Sequence, residues 1–144
     1  MGDDASFRDQ RKSERVPAKL QVCFRELSET DAEGFLGVEA LPELPARLTQ
    51  TPLSEGHTEN LSQGGMSLTG ELGGLDGAQV AKGRKLWLEF NLGDQGADIR
   101  AMAVVAWAIE GRGEHRKFTA GLMFLGISTE DLDRIGTYVQ ARGG

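Results

Sequence analysis

Cysteine is nearly absent from this 144-residue chain, Cys23 being its single thiol. One cysteine cannot close an internal disulfide, which suits a reducing compartment and predicts a cytoplasmic protein. Histidine is almost as scarce. His57 and His115 both lie in polar stretches near turns with no partner at ligand spacing, so no metal site is expected. Long apolar runs are missing as well. None approaches the ~18 residues of a membrane span, and the opening MGDDASFRDQRKSER lacks the apolar centre of a secretory signal. No membrane insertion is expected. Positive charge is in deficit, with 16 Lys and Arg against 22 Asp and Glu and a formal net charge of -6. That balance disfavours a grip on a nucleic acid polymer, although a local basic cluster can still hold a small anion.

Enzyme signatures are missing too. The glycine-rich run from Gly70 to Lys85 contains no Gly-x-x-x-x-Gly-Lys-Ser/Thr and leads into a strand pattern, so it is no P-loop. There is no Gly-x-Ser-x-Gly elbow, and Cys23 has no evident base partner. Carboxylates are plentiful, but each pair sits in a charged stretch where solvation is the ordinary explanation. No catalytic residue is assigned and no enzyme is expected.

What is present fits one globular domain: 39% hydrophobic residues, 26% charged residues and 20 glycines. A chain of this size buries roughly two-thirds of its unfolded surface, enough for one core. Residues 1–17 read as a flexible basic arm carrying Arg8, Arg11, Lys12 and Arg15, with no face to bury and a stop at Pro17. Residues 18–144 read as the folded domain. From Ala18 to Leu27, Leu20, Val22 and Phe24 alternate with Lys19, Gln21, Cys23 and Arg25, a period of two that predicts a half-buried strand. Residues 28–56 scatter acids (Glu29, Asp31, Glu33, Glu39, Glu43, Glu55) among Pro42, Pro45 and Pro52. This acidic insert is expected to be a solvated loop or a partner-binding segment, with GFLGVEAL as a short turn or strand inside it.

HTENLSQGGMSLT, from His57 to Thr69, reads as strand, Gly-Gly turn, strand. Leu86, Leu88, Phe90 and Leu92 alternate in the next strand. Ile99, Ala101, Ala103, Val105, Trp107 and Ile109 are expected to line one face of a long strand, with Met102 and Val104 on the other. Apolar residues on both sides predict a central position. Phe118, Ala120, Leu122 and Phe124 alternate again. The period then changes. After Ser128, an N-cap with Asp131 three residues on, Leu132, Ile135 and Val139 recur at helical spacing and predict a helix over 129–142. Five or six short strands without intervening helices predict an antiparallel barrel or sandwich, with the helix covering one end.

Two further elements stand out. Arg11 and Arg15 form Arg-x-x-x-Arg before the first strand, a spacing that Arg112 and Arg116 repeat and that carries nothing alone. Asn60, Ser62 and Gly65 form Asn-x-Ser-x-x-Gly at the hairpin, which alone is a turn capping its own backbone. In this order the two elements resemble those of the PilZ domain family. VVAWAIEG is similar to that family's Val-x-Trp strand and FTAGLMFLGIS to its Gly-x-x-Phe strand, while the insert 28–56 is longer than the family's usual connection.

The resemblance implies a mainly β fold: a six-stranded antiparallel PilZ-type barrel with a C-terminal α-helix. It also implies a receptor for the second messenger cyclic di-GMP, with no cofactor. Arg11 and Arg15 would pair with phosphate or guanine through planar charged forks. Asn60 would offer its carbonyl oxygen to guanine N–H groups, and Ser62 a hydroxyl. Gly65 would supply a positive-φ turn or a close approach of the ligand. Ordering of the arm would then change a surface read by a downstream protein, in motility, pilus, biofilm or polysaccharide control. The alternative is a PilZ-fold interaction module for a motility or pilus assembly. Gln10, just before the first arginine, leaves one bound ligand or an intercalated pair open, and monomer and homodimer are equally open.

Overall fold

The computed structural model describes residues 16–36, 48, 53–71, 80–93, 96–110 and 117–143. Among these, six strands and two helices follow in the order β1 (Val16–Leu27), α1 (Glu29–Phe35), β2 (Ser54–Leu61), β3 (Gly65–Glu71), β4 (Lys85–Phe90), β5 (Ile99–Glu110), β6 (Lys117–Ile127) and α2 (Thr129–Gly143). Every strand pairing is antiparallel, and the order β1-β2-β3-β6-β5-β4 closes on itself. The expected barrel with its C-terminal helix is therefore the fold.

Alternation builds the interior. Val22, Phe24, Leu68, Leu86, Leu88, Ile99, Ala101, Ala103, Phe118 and Leu122 point inward and are buried. Phe24 and Phe118 meet edge to face at 5.7 Å between ring centroids. Helix α2 adds Ile135 and Val139 to the same core. Its start is fixed by Ser128, whose Oγ accepts the Asp131 backbone N–H at 3.1 Å.

Three sequence expectations need correction. Val16 and Pro17 belong to β1, not to an arm. Pro17 is accommodated because it sits at the strand's start, before a bulge between Pro17 and Leu20, where its missing N–H costs little. The inward face of β5 also does not run through to Ile109. A register shift between Val105 and Trp107 reverses the phase, so Ala108 packs on the core while Trp107 and Ile109 are 42% and 66% exposed.

The third correction is that the insert is not all loop. Ser28 caps helix α1, its Oγ accepting the Asp31 N–H at 3.1 Å, and Glu29 and Asp31 favour the positive end of the helix dipole. Ala32 and Phe35, three residues apart, share the buried face. They pack outside the barrel on Trp87, Met102, Leu27 and Leu48, forming a second small core. Phe35 lies 4.9 Å from the fully buried Trp87 ring. This cover explains why β4 and β5 carry apolar residues on their outer face.

Candidate functional site

The corner joining β2 to β3 concentrates the buried polarity of the described residues. Among the described residues the buried polar side chains are Thr58, Ser62 and Ser67, and all three serve this corner. The cause is an irregular ladder. His57 pairs with Thr69 and Leu61 with Met66, so β2 holds one residue more than β3 over that span. A bulge of this kind leaves backbone groups without ladder partners and re-aims a side chain. Ser67 Oγ accepts from two successive amides, Glu59 N at 3.1 Å and Asn60 N at 3.2 Å. Thr58 Oγ1 donates to the Asn60 carbonyl oxygen at 2.7 Å. The Asn60 backbone is thus satisfied on both sides.

Its side chain is not. Asn60 Oδ1 is buried and has no hydrogen-bond partner among the described residues. An orphan acceptor costs on the order of 1–3 kcal/mol, and native structures keep few of them. Here the atom stands beside a satisfied backbone with its acceptor capacity unused, so it can accept an N–H donor.

The turn that follows is stapled to itself and to its neighbours. Ser62 N donates to the Gly65 carbonyl at 2.9 Å, and Gly64 N donates to Ser62 Oγ at 3.1 Å. The Ser62 hydroxyl in turn reaches the Gly65 carbonyl at 3.4 Å. Phe124 N donates to the Gly64 carbonyl at 2.9 Å, tying the turn to β6. Gly65 has no positive φ. Its glycine is required because a β-carbon would overlap the Leu122 carbonyl oxygen and come within 2.9 Å of its carbon. The close approach expected at Gly65 is made by β6.

Asn60, Ser62 and Gly65 are therefore brought together. Arg11 and Arg15 lie outside the described residues, as do Arg112 and Arg116. The point where the arm joins the barrel is described, however: Val16 pairs with Leu61 and Pro17 with Asn60. His57 pairs instead with Glu59 at 2.8 Å on the surface. Among the described residues no group of acids, histidines and cysteine is placed to hold a metal ion, and no helix is long and apolar enough to cross a membrane. Burial, followed by the charges of Glu55, Glu89 and Asp98, raises the Cys23 thiol above its ordinary range.

One neighbour of the corner was missed in the sequence. Trp107 lies over Gly121, where any β-carbon would strike the indole, and Gly121 pairs with Ser67. A lateral row thus runs from Asn60 through Ser67 and Gly121 to an exposed aromatic face. Met123 and Leu125, 55% and 42% exposed, extend it along β6. The phase reversal in β5 is what turns Trp107 outward, and alternation alone cannot reveal it. Elsewhere a cleft of about 380 Å³ lies between Gly96–Arg100 and the start of α2. Its Arg134 pairs with Asp131 at 3.3 Å.

Comparison with known proteins agrees with this architecture. The family model for the PilZ domain matches residues 9–141. Among curated proteins no sequence match is found. Among solved structures, the Bacillus subtilis inhibitor of motility MotI/DgrA superposes with a TM-score of 0.60 at 18% identity, covering 93% of this chain and 51% of that one. The chain thus spans about half of that protein. The PilZ domain of YcgR from Escherichia coli, solved with c-di-GMP, gives 0.58 at 16% identity over 93% of this chain and 92% of that one. MrkH of K. pneumonia gives 0.57 at 13%, over 88% and 46%.

Proposed function

This chain belongs to the PilZ domain family, and from that premise we propose that it is a cyclic di-GMP receptor whose occupied surface is read by a partner protein. The observation that carries the reading is the buried, unpartnered Oδ1 of Asn60. Guanine presents N–H donors on its Watson–Crick edge, and a neutral amide oxygen accepts one without repelling the ligand's two phosphates. Support also comes from the c-di-GMP bound to the similar YcgR domain.

Chain connectivity supports Arg11 and Arg15 as the anion-binding pair. Arg15 directly precedes Val16, which pairs with Leu61 between Asn60 and Ser62. Arg11 is four residues further on and can stand at most about 17 Å from Val16. A tether of that length allows both guanidinium forks to reach a dianion seated at the turn. With a net charge of -6 for the whole chain, attraction of that ligand has to be local, and two permanently charged forks supply it. The Trp107 face gives a base a flat surface at the far end of the row. In this reading the protein binds its ligand and makes or breaks no covalent bond.

The test is calorimetric titration with cyclic di-GMP. Binding by the intact chain, lost or strongly weakened by Arg11→Ala, Arg15→Ala and Asn60→Ala but not by Arg112→Ala, is the expected pattern. Equal loss from Arg112→Ala overturns the arginine assignment. A second reading, an interaction module with little or no nucleotide binding, is favoured by the exposed apolar group Trp107, Ile109, Met123 and Leu125. Ligand that binds only the folded state raises the melting temperature. No shift at saturating nucleotide supports the module.

A further inference from the structure

Between Ser62 and Gly65 the motif leaves two positions unspecified, and the first of them is Gln63. Its side chain reaches beyond the turn to helix α2. Gln63 Nε2 donates to the backbone carbonyl of Leu132 at 3.1 Å, a partner 69 residues away in the first turns of α2. Gly136 makes room for it. A β-carbon at 136 would overlap Nε2 and lie 3.0 Å from the Gln63 amide carbon. Glycine is unfavourable inside a helix, so its presence mid-way along α2 has a local reason: the Gln63 amide occupies the space a side chain would take.

Resting on the receptor reading above, we infer that Gln63 is a positioning residue that locks the Ser62–Gly65 turn to helix α2, so that occupancy of the turn is transmitted to the helix. The turn is held on its other side by the Phe124 N–H bond to Gly64. It therefore cannot shift toward a ligand without carrying or releasing the Leu132 carbonyl. The helix is in turn seated by Ile135 and Val139, which are part of the barrel core, so any displacement repacks that core. Coupling of this kind is reciprocal: a ligand that moves the helix has its own affinity altered when the helix is freed.

The chain has one tyrosine, Tyr138, and it lies on α2. Labelling with 3-fluorotyrosine therefore gives a single ¹⁹F resonance that reports the helix. Two variants break the lock differently. Gln63→Ala removes the donor. Gly136→Ala displaces the amide by filling its space while favouring the helix, so a poorly folded protein cannot explain its effect. In the ligand-free protein Gln63→Ala is expected to raise amide exchange over residues 132–139 by about tenfold, the loss of roughly one hydrogen bond. In Gly136→Ala the helix preference of alanine, worth about as much, offsets that loss and leaves exchange near that of the intact chain. Because the Gln63 bond can be lost only once, the double variant is expected to exchange like Gly136→Ala and not faster. On adding cyclic di-GMP the Tyr138 resonance should shift in the intact chain and stay fixed in both variants, although calorimetry still records binding. Unchanged ligand-free exchange in Gln63→Ala, or a double variant that exchanges about tenfold faster than Gly136→Ala, overturns the lock. An unaltered Tyr138 response in the variants overturns the transmission. An intact chain that binds no cyclic di-GMP overturns the receptor reading and the transmission with it, while ligand-free exchange still decides the lock.

Discussion

Gly65 packs so closely against the Leu122 carbonyl that no β-carbon fits between them. The opposing atoms are backbone, held in the β3–β6 ladder, and cannot swing aside. Gly65→Ala is therefore expected to destabilise the fold by about 3 kcal/mol or more, read as a lowered midpoint in denaturant unfolding. Loss of ligand binding in that variant would follow from the damaged ladder, not from a missing contact.

Asn60 should behave in the opposite way. Its Oδ1 has no partner to lose, so Asn60→Ala is expected to change unfolding free energy by less than about 1 kcal/mol while weakening cyclic di-GMP at least about tenfold. Thermal unfolding and calorimetry on the same variant check both halves. A large fall in stability would show that the amide serves the fold.

Phe35 holds the outer core. Phe35→Ala is expected to cost about 3 kcal/mol and to admit acrylamide to Trp87, which is fully buried beneath it. Trp107 is already half exposed. Quenching should therefore change from one accessible indole to two.

Cys23 should be a sluggish thiol. Burial and the neighbouring Glu55, Glu89 and Asp98 raise its pKa, so less thiolate is present at pH 8 than on a free cysteine. Alkylation rates followed against pH are expected to rise with a midpoint above that of a free thiol. Because it is the single cysteine, Cys23→Ser should abolish the reaction.

Much of the barrel was legible because alternation is a local property. Leu20, Val22 and Phe24, and likewise Phe118, Ala120 and Leu122, declare their inner face without reference to anything distant. The phase reversal in β5 is not local, since it depends on how Trp107 registers against Gly121. Helix α1 was missed for a different reason. Seven residues with two buried side chains give too little periodicity to see. Its cap was nevertheless readable: Ser28 with Asp31 repeats the arrangement of Ser128 with Asp131 that marked α2. At the site, the motif named Asn60, Ser62 and Gly65, but Thr58 and Ser67 carry no pattern. Their role appears only once the bulge in β2 leaves backbone amides to be met.

Closure of the sheet has a consequence for recognition. Each of the six strands already has a neighbour on both sides, which leaves, among the described residues, no free sheet edge onto which a foreign segment could be zipped by main-chain pairing. A partner that docked on the barrel wall would do so through side-chain relief and charge. Its choice of target is then open to change by single substitutions on the outer wall, with the strand ladder left intact.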